Sequence, residues 1–159
     1  AGIAVFRGPA SITHCTIVSN LCSGVRKGAG ILVRQGEQVP LDDCTLFVTN
    51  CIVYGNRAVY APDGWHSFGV AGNWKSAELV NTLVEDTDGA TLIENCFYAD
   101  PLFRNVANGD YRVRPSSPCV FAGVGLADAA TDLNGRARRK VQPTIGCYEA
   151  GYGMMLLVR

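Results

Sequence analysis

One stretch of this chain is written twice. Ile12-Thr13-His14-Cys15-Thr16-Ile17-Val18-Ser19-Asn20 returns as Val48-Thr49-Asn50-Cys51-Ile52-Val53-Tyr54-Gly55-Asn56, at an offset of 36. A β-branched apolar residue, Thr, Cys, Ile or Val and the final Asn recur in both. Ala1-Gly2-Ile3-Ala4-Val5-Phe6 is echoed by Ala29-Gly30-Ile31-Leu32-Val33-Arg34, at an offset of 28. Leu41-Asp42-Asp43-Cys44-Thr45-Leu46 competes for the first pattern at an offset of 29, and Leu92-Ile93-Glu94-Asn95-Cys96-Phe97 echoes it more weakly. An insertion within residues 35–47 would reconcile 28 with 36, and the register over 35–56 stays open between the alignments.

Internal repetition at such a period is the signature of a stacked architecture. Each unit contains a short strand, a turn, a second short strand and an Asn at the next corner. No stretch shows the i, i+3, i+4, i+7 spacing of an amphipathic helix. Strands this short cannot bury a face alone, so successive units must stack and pair their backbones with the unit above or below. The expected class is all-β, a parallel β-helix solenoid. Cys15, Cys51 and Cys96 occupy one place in their units and are expected to form a buried column of small side chains. Asn20 and Asn56 are expected at a corner in left-handed geometry, laddered with one another.

The pattern breaks after Asn56. Residues 57–77 hold Pro62-Asp63-Gly64, both tryptophans and further glycines, and are expected to form a long loop excursion. Strand-like sequence resumes over 78–98. Beyond Asp100, Pro101, Pro115, Pro118 and Pro143 space out short segments.

Blocks in this last part occur in a telling order. They are Ala99-Asp100-Pro101-Leu102-Phe103, Asn108-Gly109-Asp110-Tyr111-Arg112-Val113, Ser116-Ser117-Pro118-Cys119, Ala122-Gly123, Thr131-Asp132-Leu133-Asn134-Gly135-Arg136 and Ile145-Gly146-Cys147-Tyr148-Glu149. The series resembles the C-terminal module of bacterial right-handed parallel β-helix repeat proteins of pectate-lyase-like fold, one subset of which carries a choice-of-anchor domain. The resemblance implies a right-handed β-helix over residues 1–98 and a closing cap over 99–159. In that cap Leu102, Phe103, Tyr111, Val113, Ile145 and Tyr148 would pack onto the final coil and cover its strand edges. Val120-Phe121 and Asn134 depart from the family pattern, which removes two carboxylates and weakens any case for a cation there. Cys119 and Cys147 stand where the family has small residues, which leaves a disulfide between them open. The resemblance also implies an extracellular or cell-surface location. Ala1-Gly2-Ile3 begins inside a repeat unit, so further coils of the parent are expected upstream.

Charge and cysteine content limit the function classes. Lys plus Arg equals Asp plus Glu at 14 each, so no net field draws nucleic acid or an anionic membrane. The C-terminal apolar run, Met154 to Val158, is too short for a membrane span. Seven cysteines contain no CxxC pair and are accompanied by two histidines, which argues against a zinc knuckle. No cofactor or metal is expected. Tyr60, Trp65, His66, Phe68 and Trp74 gather aromatic rings that could stack on sugars, so Tyr60, Trp65, His66 and Trp74 are the binding candidates; the alternative is a satellite core. Asp42-Asp43 and Glu85-Asp86-Thr87-Asp88 are the acidic clusters, but neither has a repeat-aligned partner of the kind a glycosidase or lyase needs, and no catalytic residue is assigned. The basic run Arg136-Ala137-Arg138-Arg139-Lys140 is expected to face solvent, and His14 to be a surface or hydrogen-bonded residue. Two functions remain: a non-catalytic, adhesin-like scaffold that binds polysaccharide or cell-surface glycan, or the C-terminal part of a polysaccharide lyase or glycoside hydrolase whose catalytic coils lie upstream.

Overall fold

The computed structural model describes residues 1–6, 8–23, 29–33, 44–60, 64–67, 69–72, 74–87 and 90–151, with the backbone alone at 23, 59, 60, 64–67 and 93. The chain is all-β, and no α-helix occurs among the described residues. Its strands are β1 (Ile3–Val5), β2 (Ala10–Thr13), β3 (Thr16–Val18), β4 (Leu21–Ser23), β5 (Ile31–Val33), β6 (Thr45–Thr49), β7 (Ile52–Tyr54) and β8 (Arg57–Tyr60). They continue with β9 (Gly64–Ser67), β10 (Val70–Gly72), β11 (Ser76–Val80), β12 (Leu83–Val84), β13 (Thr91–Glu94), β14 (Phe103–Asn105) and β15 (Asp110–Val113).

The first eight strands pair one to one across the repeat. β1 lies parallel to β5, β2 to β6, β3 to β7 and β4 to β8. β10, β11 and β12 then extend the first three of these sheets, and β13 extends the second once more. Both sequence offsets are realised. Ile3 pairs Ile31 at 28, whereas Ile12 pairs Val48 and Thr16 pairs Ile52 at 36. The change falls between Val33 and Thr45, so Leu46 faces Ala10 and the alignment at 29 is not used. The Leu92–Phe97 echo is realised too: Leu92 pairs Leu79 and Phe97 bridges Leu83.

The structure differs from the expected excursion over 57–77. β8 continues the fourth sheet, β9 folds back on it antiparallel, and β10 and β11 re-enter the parallel sheets. β8 and β9 pair from Arg57–Ser67 to Tyr60–Gly64, and Pro62 and Asp63 lie outside the described residues. A short parallel-strand segment such as Val70-Ala71-Gly72 is too brief to announce itself by alternation. Gly72 is obligatory in that segment: its φ is +147°, and a Cβ there would lie 2.0 Å from the Val33 carbonyl oxygen.

Two apolar cores result among the described residues. Inside the stack, Ile12, Val48 and Leu79 align in one sheet and Ile17, Val53 and Val84 in the next, joined by Ile31, Val33 and Val70. Burial of each such side chain contributes about 1.5–3 kcal/mol. Neighbouring residues on a strand face opposite ways, so Ile52 and Leu83 leave this core. They pack outward with Phe103, Val113, Cys119 and Ile145 in a second core. Both faces of β7 are therefore covered, which explains why Ile52 and Val53 are both buried.

Through this second core the chain beyond residue 99 packs against the outer flank of the β3–β7–β12 sheet. Gly146 N–H donates to the Asn50 carbonyl at 2.7 Å, and Cys147 N–H donates to Thr16 Oγ1 at 3.0 Å. Gly146 has φ +89°, and a Cβ there would stand 2.7 Å from both Ile52 Cδ1 and Thr16 Oγ1. The glycine thus permits the backbone to approach the flank. Phe103 and Val113 reach the second core from the antiparallel β14–β15 pair. Tyr111 is partly buried against them, its ring edge-on to Phe103 at 5.5 Å.

Candidate binding cleft

Where the module meets the first strands, it leaves a cleft of about 520 Å³. Cys15, Thr16 and Ile17 form one wall, and Tyr111, Cys147 and Tyr148 the other. Tyr148 is also the wall of a second, polar depression of about 230 Å³, lined by Asn108, Asp110, Arg112 and Asn134. Arg112 grips Asp110 with two 2.7 Å hydrogen bonds from Nε and Nη2. The guanidinium beside it holds the Asp110 carboxyl down at about 2. An aromatic face flanked by a fixed charged pair and two amides is suited to a ligand with both apolar and hydroxylated surfaces.

The wall is anchored by a buried polar network. Asp132 Oδ1 accepts from the backbone N–H of Asn134 and Arg136, at 2.9 and 2.8 Å, and its Oδ2 accepts from Glu149 N–H at 2.9 Å. Arg138 donates to the carbonyls of Thr144 and Gly146 and lies 3.7 Å from the Glu149 carboxylate. Glu149 in turn accepts from Thr144 N–H and Oγ1–H. The side chains of Arg138 and Glu149 are 4% and 3% exposed, so this is an interior ion pair. Arg138 therefore departs from the solvent-facing run expected of residues 136–140. Arg139 lies over the Phe121 ring at 4.3 Å.

A column of turn residues joins the module to the stack. His14, Asn50, Asn81 and Asn95 all take positive φ, between 46° and 56°. Asn50 is fully buried. Its Nδ2 donates to the Val124 carbonyl at 2.7 Å, and its Oδ1 accepts from Val124 N–H at 2.9 Å. Nδ2 also stands 3.1 Å from His14 Nε2. Burial, helped by the Arg138 charge, lowers the His14 pKa from 6.5 to about 4, so the ring is neutral near pH 7. Asn20 and Asn56 do ladder, with Asn20 Nδ2 donating to Asn56 Oδ1 at 2.9 Å, but the left-handed residues are Ser19 and Gly55, one position earlier.

The cysteine column is present with one member the sequence pattern concealed. Cys15 N–H reaches Cys51 Sγ at 3.4 Å, and Cys51 N–H reaches Thr82 Oγ1 at 3.4 Å. Thr82, fully buried, fills the place between Cys51 and Cys96. Cys51 is fully buried, while Cys15 and Cys96 are half-buried. Among the described residues no two cysteines are joined by a disulfide, Cys119 and Cys147 included. Cys119 lies in the second core, whereas Cys147 faces the cleft.

The four aromatic-loop candidates do not meet at this cleft. Trp74 is partly buried against the inner core. Tyr60 lies on β8, and Trp65 and His66 lie on β9; their side chains, and Phe68 as a whole, lie outside the described residues. Asp42, Asp43 and Asp88 lie outside them as well, and Glu85 accepts from Gly55 N–H at 2.6 Å. Among the described residues no three His, Cys, Asp or Glu side chains converge as a metal site, and no helix is long and apolar enough to cross a membrane. No protein-family model, no curated protein and no solved structure matches the chain.

Proposed function

We propose that this chain is a portion of a right-handed parallel β-helix whose flank is sealed by a choice-of-anchor-type C-terminal module, and that it serves as a non-catalytic extracellular scaffold holding a glycan in the Tyr148 cleft. The strand pairing at recurring offsets supports the β-helix reading, because a strand–crossover–parallel strand connection is right-handed in about 98% of cases. The surface location rests on the family resemblance of residues 99–149.

The observation that carries the glycan reading is the position of Tyr148 between two depressions of different character. A sugar ring offers an apolar CH face to Tyr148 or Tyr111 and hydroxyls to Asn108, Asn134 and the Asp110–Arg112 pair. The carboxylates near the cleft are already engaged, Asp110 by Arg112 and Asp132 and Glu149 by backbone donors. They hold the wall in place, which favours binding over bond cleavage.

The test is retention of the protein on a panel of immobilised neutral and acidic polysaccharides. Tyr148→Ala and Arg112→Ala should each weaken binding about tenfold or more, equivalent to about 1.4 kcal/mol, with unchanged thermal unfolding. Equal retention of wild type and both variants sinks the reading. Loss on Trp65→Ala with none on Tyr148→Ala would move the site to the β8–β9 hairpin.

A further inference from the structure

We propose that Cys15 is a site of oxidative modification, its sulfur attacking hydroperoxides that enter the cleft and then being resolved by Cys51 into a disulfide that staples the first row of strands to the second. Three thiols converge here. Cys15 and Cys147 face each other across the cleft, and Cys51 lies beneath Cys15 in the core. Cys15 and Cys51 stand at matching positions just before β3 and β7, flanked by the paired residues Thr13–Thr49 and Thr16–Ile52. Neighbouring strands run about 4.8 Å apart, inside the roughly 4.4–6.8 Å between Cα atoms that a disulfide spans. The backbone N–H of Cys15 already touches Cys51 Sγ at 3.4 Å.

The two thiols also differ in the way such a pair requires. The neighbouring Cys51 side chain, together with the Arg138 charge, lowers the Cys15 pKa to about 7 against the cost of burial. Burial pushes Cys51 up, so it remains a thiol and a donor. Cys119, by contrast, is raised to about 11 by burial. Thiolate character together with access sets reactivity toward oxidants.

The chemistry balances with a hydroperoxide as the two-electron oxidant. The Cys15 thiolate attacks the terminal peroxide oxygen, the O–O bond breaks, and water or an alcohol leaves after protonation, giving a sulfenic acid. Cys51 sulfur then attacks Cys15 sulfur, the S–O bond breaks, water leaves, and the S–S bond forms. Both thiol protons end in the products. The bond would cross-link two rows already in register, so little movement is needed.

The experiment treats the reduced protein with hydrogen peroxide at pH 7 and maps peptides by mass spectrometry. The expected product is a Cys15–Cys51 disulfide, with Cys15 alkylated by iodoacetamide at least about tenfold faster than Cys119 before oxidation. Cys51→Thr, which places at 51 the residue found at 82, should leave Cys15 as a sulfenic acid that a dione probe captures. Cys147→Ala should change neither result. A Cys15–Cys147 disulfide, first oxidation at another thiol, or equal alkylation rates at Cys15 and Cys119 would each overturn the assignment.

Discussion

Arg138→Met lowers the unfolding free energy by about 3–5 kcal/mol, the range for stripping one partner from a buried ion pair. The cause is what remains behind. Glu149 stays in an interior where its side chain is 3% exposed, and burial already pushes its carboxyl pKa upward. The Thr144 and Gly146 carbonyls lose their guanidinium donors at 3.2 and 2.9 Å. Met fills most of the volume, so packing loss is a minor part. In a chain this size 1 kcal/mol is worth about 2–4 °C, so the midpoint should fall by roughly 6–20 °C. Glu149→Gln should cost less, because the amide still presents an oxygen to Thr144 N–H. The double variant should recover part of the Arg138→Met loss, because the stranded charge is gone. Calorimetry of the three variants checks this. A fall below about 1 kcal/mol for Arg138→Met would mean that water reaches the pair and the network is not interior.

The stack was legible in the sequence because its units repeat side-chain chemistry as well as length. Ile12 and Val48, Thr13 and Thr49, Cys15 and Cys51 and Asn20 and Asn56 recur because each sits in one shape-defined column. The third member was not legible at Thr82. Thr82 bonds the Val48 and Val80 carbonyls, one row on from the Ile12 and Thr49 carbonyls that Cys51 meets, so chemistry changed while the role did not. β10 was missed because three residues carry too little pattern. The module's position on the flank was hidden for a different reason. Residues such as Phe103, Val113 and Ile145 announce burial, but composition does not say against which face. The telling sign lay in the stack itself, where Ile52-Val53 and Leu83-Val84 are apolar on consecutive positions and so need cover on both sides. Arg138 is concealed because a basic run usually faces solvent; its partner Glu149 stands eleven positions away and is held there by its backbone N–H bond to Asp132. The cleft was not legible at all, since Tyr111 and Tyr148 meet Cys15 only through the fold.

His14 makes the protein sensitive to mild acid, and His14→Asn removes that sensitivity. The position belongs to a column whose other members are Asn50, Asn81 and Asn95, all left-handed, a conformation Asn tolerates better than most residues. The imidazole is buried, faces Asn50 Nδ2, and stands within the field of Arg138; Cys15 is the next titratable group along the chain. Its folded pKa is about 4 against 6.5 for the free side chain, with burial the larger cause and Arg138 the second. Above pH 6.5 the ring is neutral in both states and costs nothing. As pH falls through that value the unfolded chain takes up the proton first, so stability declines until pH 4, where the native state is protonated too. The whole shift corresponds to about 3 kcal/mol; solvent screening of the ring reduces it, so about 1–2 kcal/mol should appear at pH 5. Other groups do not imitate this window. Asp110, held at about 2, loses its advantage only in stronger acid, and Glu149, whose pKa is raised, contributes with the opposite sign. Urea unfolding midpoints at pH 7 and pH 5 read the effect directly. Wild type should lose the stated amount between the two, and His14→Asn should lose little while retaining left-handed geometry and a polar neighbour for Asn50. Parallel losses in the two proteins would show that protonation at residue 14 is not what acid exploits.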